Sequence, residues 1–321
     1  MSVLVLVETD DKGASEVSRE TLTFARRLGE DVQALVVGDG PAGLVDQLGT
    51  YGVRSVLHAD GDAFTSYAAA AWAAAVVAAS ADATVVMAAG TPRGNEVLAH
   101  VACRLGVTMA ANVVEVDRSS GSLVVSRQVL GGAAMEEMRL EDAVAVLSVA
   151  GHACDPQPAE ATTSPAVMPI EVEVADSDLR ARVVRTEPGE PDESGSLKSA
   201  KVVVGAGRGA GSADGFKDLL ELADLLDGAL GVSRVVTSLG WRPHHEQVGQ
   251  TGSRVSPDLY LACGISGAIQ HWAGMSSSKT IVAINNDPDA PMVTKAHYAV
   301  IGDLHEVVPA VVEELRRRRP A

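Results

Sequence analysis

Lys201-Val-Val-Val-Gly-Ala-Gly-Arg-Gly-Ala-Gly211 decides the reading of the fold. A run of β-branched residues, too short for a helix and breaking into glycines, reads as a buried strand handing over to a crossover connection. Downstream the pattern turns helical over residues 213–230, with Phe216, Leu219, Leu220, Ala223 and Leu226 expected on one apolar face. Strand-like runs follow at 234–237, 259–263, 280–284 and 299–301, and a helix over 304–318 ends in basic residues that suit its C-terminal dipole. Strands alternating with helices predict a parallel sheet covered on both faces.

The same alternation runs upstream. Strands are expected at 3–7, 32–37, 55–58 and 84–88, with helices at 15–28, 41–50, 64–81 and 94–105 between them. Beyond residue 110 the rhythm becomes strands, at 123–128, 143–149 and the alternating Ile170-Glu-Val-Glu-Val174, expected to extend the first sheet at one edge. Thr186-Glu-Pro-Gly-Glu-Pro-Asp-Glu-Ser-Gly195 has no aliphatic side chain and reads as a linker. The expected organisation is thus α/β, with two doubly wound α/β domains: a nucleotide-binding-like domain over 1–185, a linker over 186–200 and a second domain with a parallel sheet over 201–321.

Composition narrows the function. The 321 residues carry a formal charge of −16, and with three Trp, four Tyr and three Phe there is little to stack bases on. Such a surface repels phosphate backbones and anionic lipid, so neither nucleic acid nor a membrane is an expected partner. The longest uncharged apolar run, 67–79, falls short of the ~20 residues of a membrane span. The start has no basic leader, and Cys103, Cys154 and Cys263 form neither a disulfide framework nor a CxxC pair; a cytoplasmic location is expected.

Gly205-Ala-Gly-Arg-Gly-Ala210 fits the degenerate dinucleotide fingerprint G-x-G-x-x-G/A. It equally fits a tight strand-to-helix connection. A nicotinamide site also wants an acid at the end of the next strand for the ribose hydroxyls, and the expected strand 234–237 ends in Ser238. Gly264-Ile-Ser-Gly-Ala268 is one residue short of a nucleophile elbow, and His244-His245-Glu246 lacks the spacing that focuses ligands on one metal.

Two stretches are more specific: Gln247-Val-Gly-Gln-Thr-Gly252, and Gly264-Ile-Ser-Gly-Ala-Ile-Gln-His-Trp-Ala-Gly-Met275. With Ser278-Lys-Thr-Ile-Val-Ala-Ile-Asn-Asn-Asp-Pro288, they closely resemble the C-terminal domain of the alpha subunit of electron transfer flavoproteins. The resemblance is dense over 201–309 and looser over 1–185, where the family has a domain without a cofactor of its own. It implies an FAD site with no catalytic residue and no metal. The matching positions are Arg208, Ser233, Arg234, Gln247, Val248, Gly249, Gln250, Thr251, Ser266, Gly267, Ala268, Ile269, Gln270, His271, Asn285, Asp303 and Leu304.

Each also makes chemical sense. Ser266 and the amides around Gly264 suit a pyrophosphate, while Asn285 and Asp303, each just after a strand, suit ribose or adenine. Thr251 could bond flavin N5, and Arg234 and His271 could place charge or donors at the ring, the means by which proteins tune flavins. Taken singly, Arg234 reads as a surface ion-pair residue and His271 as a core histidine. Two departures from the family pattern stand out: Ala206, often glycine there, and Thr-Ser-Leu at 237–239, where an Asp-Ala is common.

The resemblance further implies a heterodimer with a beta subunit, flavin dehydrogenases such as acyl-CoA dehydrogenases as donors, and a membrane quinone oxidoreductase as acceptor. The alternatives are a nicotinamide-dependent dehydrogenase and, from the first domain alone, a regulatory nucleotide-binding module.

Overall fold

The computed structural model describes residues 2–118, 121–130, 134–151, 153–186, 197 and 200–318. The expected linker at 186–200 lies almost wholly outside them. The chain divides into two compact units, Met1–Val129 with Ala134–Glu187, and Pro188–Ala321 with Leu130–Ala133. Among the described residues, no helix is long and apolar enough to cross a membrane.

The first unit runs β1 (Ser2–Leu6), β2 (Thr9–Asp10), β3 (Gly13–Ala14), α1 (Glu16–Ala25), β4 (Asp31–Val37), α2 (Leu44–Thr50), β5 (Val53–Ala59), α3 (Ala69–Ala79), β6 (Ala83–Ala89), α4 (Pro92–Leu105), β7 (Met109–Asp117), β8 (Leu123–Val129), β9 (Ala134–Leu140), β10 (Ala145–Val149) and β11 (Ala166–Pro169). Its nine-stranded sheet has the order β11-β5-β4-β1-β6-β10-β7-β8-β9. Pairing is parallel except for β7–β8 and β8–β9. Two-residue periodicity splits each central strand between two cores: Val3 and Val5 pack with α1 and α2, Leu4 and Leu6 with α3 and α4. This is why β1, buried on both faces from Val3 onward, is apolar over Val3–Leu6. The ends of α4 follow from its sequence, since Thr91 Oγ1 accepts from the Gly94 amide at 2.9 Å, Pro92 opens the first turn and Gly106 closes it at φ 67°.

Two expectations for this sheet are corrected. The strand expected at 143–149 is not an edge extension: β10 lies between β6 and β7, parallel to both. The alternation at 170–174 is real in burial, with Ile170, Val172 and Val174 against the core and Glu171 and Glu173 exposed, yet these residues form no strand. Periodicity reports which way side chains face, not whether a ladder partner exists. The neighbouring strand is β11, paired parallel with β5 at the opposite edge, and all four of its residues are exposed.

The second unit runs β12 (Val202–Ala206), α5 (Lys217–Leu225), β13 (Ala229–Val232), α6 (Arg234–Ser238), β14 (Leu259–Cys263), α7 (Ile269–Trp272), β15 (Thr280–Asn285), α8 (Pro291–Lys295), β16 (Tyr298–Ile301) and α9 (Leu304–Arg318). Its sheet is parallel throughout, in the order β13-β12-β14-β15-β16. Here the helix expected over 213–230 is corrected. A 3-10 turn at Ala213–Phe216 leads into α5, which stops where Asp227 takes φ 48° and the Gly228 amide donates to the Ala223 carbonyl at 2.9 Å. Leu220 is 40% exposed, and Leu222 takes its place in the core. The strand of this crossover is β13, and 234–237 is helical; Val235, Val236 and Thr237 have strand-type side chains that local context overrides.

Candidate cofactor site

The order of the second sheet reverses between β12 and β14, the place where open parallel sheets leave a crevice beyond their carboxyl ends. The loops leaving these strands touch backbone to backbone. The Gly209 amide donates to the Gly264 carbonyl at 3.1 Å, and a Cβ at Gly207 would stand 2.1 Å from that oxygen. A Cβ at Gly205 would meet the Tyr260 hydroxyl at 2.3 Å. The fingerprint-like glycines are therefore demanded by packing. A helix long enough to carry a dipole starts only at Lys217, and the residue following β13 is Ser233, so the acid of a nicotinamide site is absent at the corrected strand end as well.

A crevice of about 830 Å³ opens there, a size that suits a cofactor. Each parallel strand sends residues from its carboxyl end: Arg208 and Gly209 after β12; Ser233, Arg234, Val235 and Ser238 after β13; Gly264, Ile265, Ser266, Ala268, Gln270 and His271 after β14; Ile284, Asn285, Asn286, Asp287 and Ala290 from β15 and beyond; Gly302, Asp303 and Leu304 after β16. Arg208, Ser233, Arg234, Ser266, Ala268, Gln270, His271, Asn285, Asp303 and Leu304 were expected from sequence and line one wall or another. Val235, Asn286, Asp287, Ala290 and Gly302 were not named by the sequence reading. The rule that every parallel strand contributes its carboxyl end would have found them.

Gln247, Val248, Gly249, Gln250, Thr251, Gly267 and Ile269 do not line the crevice. The first five form a loop pinned between β13 and α7, with the Val248 amide on the Val232 carbonyl at 2.9 Å and the Gln250 amide on the Gln270 carbonyl at 2.8 Å. Buried Gln247 accepts from Thr237 Oγ1 at 2.7 Å and donates to Thr251 Oγ1 at 3.1 Å, so it holds the threonine hydroxyl in place. Gly267, at φ 85°, packs against the Met292 amide, and Ile269 is 75% exposed. The loop near Ser238 is braced by the Arg242 guanidinium on buried Glu246, with Nε to Oε2 at 2.8 Å. Glu246 is thereby committed, and no group of three His, Cys, Asp or Glu among the described residues is placed to hold a metal.

Two polar atoms in the crevice wall are buried without a partner, Ser233 Oγ and His271 Nδ1. Unsatisfied buried polar atoms are costly, and both belong to residues that line one crevice, which fits a ligand with polar groups. Burial pushes His271 down to about 4, partly offset by the Val248 main chain, so the ring is neutral at pH 7. It can therefore offer a hydrogen bond but not the positive charge expected as one option from sequence. Arg234 is exposed at the rim, and no carboxylate among the described residues pairs with it. Asn285 is partly used inside the fold, donating to the Ile265 carbonyl and accepting from the Asp287 amide, both at 3.0 Å. One Asp303 oxygen accepts from the His305 amide at 2.9 Å. These groups, spread along the ends of five strands, fit an elongated dinucleotide with phosphates, ribose and a polar ring.

Comparison with known proteins agrees. Residues 3–176 match the electron transfer flavoprotein domain, and 196–276 match the electron transfer flavoprotein FAD-binding domain. The chain is 39% identical over 321 residues to electron transfer flavoprotein subunit alpha of Mycobacterium leprae, covering 98% of each chain. It is 40% identical over 322 residues to that of Mycobacterium tuberculosis strain H37Rv, covering 99% of each. Against the Bacillus subtilis protein of the same name it is 33% identical over 319 residues, covering 98% of this chain and 97% of the relative. The protein belongs to the electron transfer flavoprotein alpha-subunit family, electron carriers whose cofactor is FAD.

Proposed function

We propose that this chain is the FAD-bearing half of a heterodimeric carrier in the cytoplasm, which takes electrons from flavin dehydrogenases such as acyl-CoA dehydrogenases and delivers them to a membrane quinone oxidoreductase. The observation that carries the site is the pair of unpartnered buried atoms, Ser233 Oγ and His271 Nδ1, in the wall of one crevice. FAD, when bound, supplies redox chemistry that amino-acid side chains lack. Arg208, Ser233 and Ser266 would hold its pyrophosphate, and Asn285 and Asp303 its ribose and adenine. Arg234, Thr251 and His271 would flank the ring, with Gln247 setting the Thr251 hydroxyl. The remaining expected positions, Val248, Gly249, Gln250, Gly267, Ala268, Ile269, Gln270 and Leu304, would shape the walls and backbone around it. Residues 1–185 would form the domain that meets the beta subunit, 186–200 the connection, and 201–321 the FAD domain.

Co-purification with the product of a neighbouring reading frame tests the assembly. Bleaching of the flavin absorbance by an acyl-CoA dehydrogenase with its substrate tests the donor. A colourless complex, or a yellow one that no flavin dehydrogenase reduces, contradicts the reading.

A further inference from the structure

Tyr260, on β14, is fully buried, and among the described residues its hydroxyl has a single hydrogen-bond partner, His271 Nε2 at 2.9 Å. The absence of a side chain at Gly205 makes the room for that hydroxyl. His271 is buried too and lines the crevice, with Nδ1 unpartnered. A hydroxyl hydrogen must go somewhere, and two arrangements are open to the pair. If Nε2 carried the hydrogen and donated to the phenol, the tyrosine O–H would be left buried with no acceptor. If the phenol donates to the Nε2 lone pair, its hydrogen is satisfied, and the imidazole must carry its own proton on Nδ1.

We infer that Tyr260 is a positioning residue that donates to Nε2 and confines neutral His271 to the Nδ1–H tautomer, so that the imidazole meets a ligand in the crevice as a donor and never as an acceptor. Burial supports this by disfavouring both the phenolate and the imidazolium. The ligand-side consequence rests on the FAD reading. A donor held in place favours an acceptor atom that gains negative charge when the ring is reduced, such as a ring carbonyl oxygen.

The tautomer is measurable without any flavin. In two-bond 1H–15N spectra of the full chain with 15N-histidine at pH 7, the resonances lost in His271→Gln identify the residue. The expected result is a protonated Nδ1 and an unprotonated Nε2, the reverse of the preference of an unconstrained histidine. Tyr260→Phe, nearly the same shape, should shift the population toward Nε2–H. A parent spectrum with the proton on Nε2 overturns the inference even if the variant does not fold, and an unchanged tautomer in a folded Tyr260→Phe overturns the role of Tyr260. In the flavin-loaded complex, Tyr260→Phe should weaken FAD binding at least fivefold. A complex that takes up no FAD would end the reading above while leaving the tautomer result standing.

Discussion

His271 and Arg234 differ in what their surroundings let them do. His271 is 5% exposed and held neutral by burial, with its folded pKa pushed from 6.5 to about 4. A depressed folded pKa means that the unfolded chain binds a proton the folded one refuses. The flavin-free protein should therefore lose roughly 3 kcal/mol as pH falls from about 6.5 to 4, with that contribution intact above the unfolded pKa. Denaturant titrations across that window should show His271→Gln with a shallower pH slope than the parent; parallel slopes would contradict the burial argument. Arg234 sits at the rim in solvent, where screening trims its influence. At the low end for a hydrogen bond to a charged group, about 1.5 kcal/mol, its removal should lower the first flavin potential by about 60 mV. Arg234→Lys should recover part of the shift, keeping charge but losing the planar fork. An unchanged spectroelectrochemical titration for Arg234→Ala would return the residue to the role of a surface arginine.

The elements owe their positions to a few close approaches. Gly264, at φ 61°, lies where a Cβ would stand 2.6 Å from Leu304 Cδ2 and 2.7 Å from Gly209 Cα. Gly264→Ala should cost about 1–3 kcal/mol and displace the loops after β12 and β14, lowering the melting temperature and flavin content together. In the first unit, Thr91 caps α4, and its hydroxyl also donates to the Glu8 carboxylate, whose pKa burial raises. Thr91→Ala should destabilise that unit by about 1 kcal/mol in urea unfolding and leave flavin binding unchanged. Strands β1, β4 and β6 were legible because burial on both faces confines their polar residues, Ser2, Asp31, Gln33 and Thr84, to the amino-terminal ends and leaves apolar runs after them. The second-domain crossover was misread at both ends, because α5 is short and β13 holds the unremarkable Ala-Leu-Gly-Val. The Asp227-Gly228 pair was the stop signal that the sequence did carry.

At the scale of the whole molecule, the formal charge of −16 and the confinement of the FAD-family motifs to one domain make a partner central to the proposed function. Expressed with a beta subunit, the chain should elute as a one-to-one complex whose melting temperature exceeds that of the chain alone, since a partner that binds the folded state stabilises it by mass action. Light scattering that finds the chain monomeric and fully flavin-loaded without the partner would refute an obligate heterodimer.

The α/β class, the strand positions apart from β2, β3, β7, β9, β11 and β13, and the family membership were set by sequence alone, because aliphatic runs, glycine turns and a long motif in order are local properties of the chain. The tertiary structure decided what depends on neighbours distant in sequence. It put β10 inside the first sheet and left 170–174 without a ladder, since backbone pairing is not encoded in which way side chains face. It also drew ten of the expected site residues around one crevice, left the Gln247–Thr251 loop out of its lining, and closed Tyr260 onto His271 through the gap left by Gly205. A side chain's partner, and so its protonation, is fixed only when the strands are brought side by side.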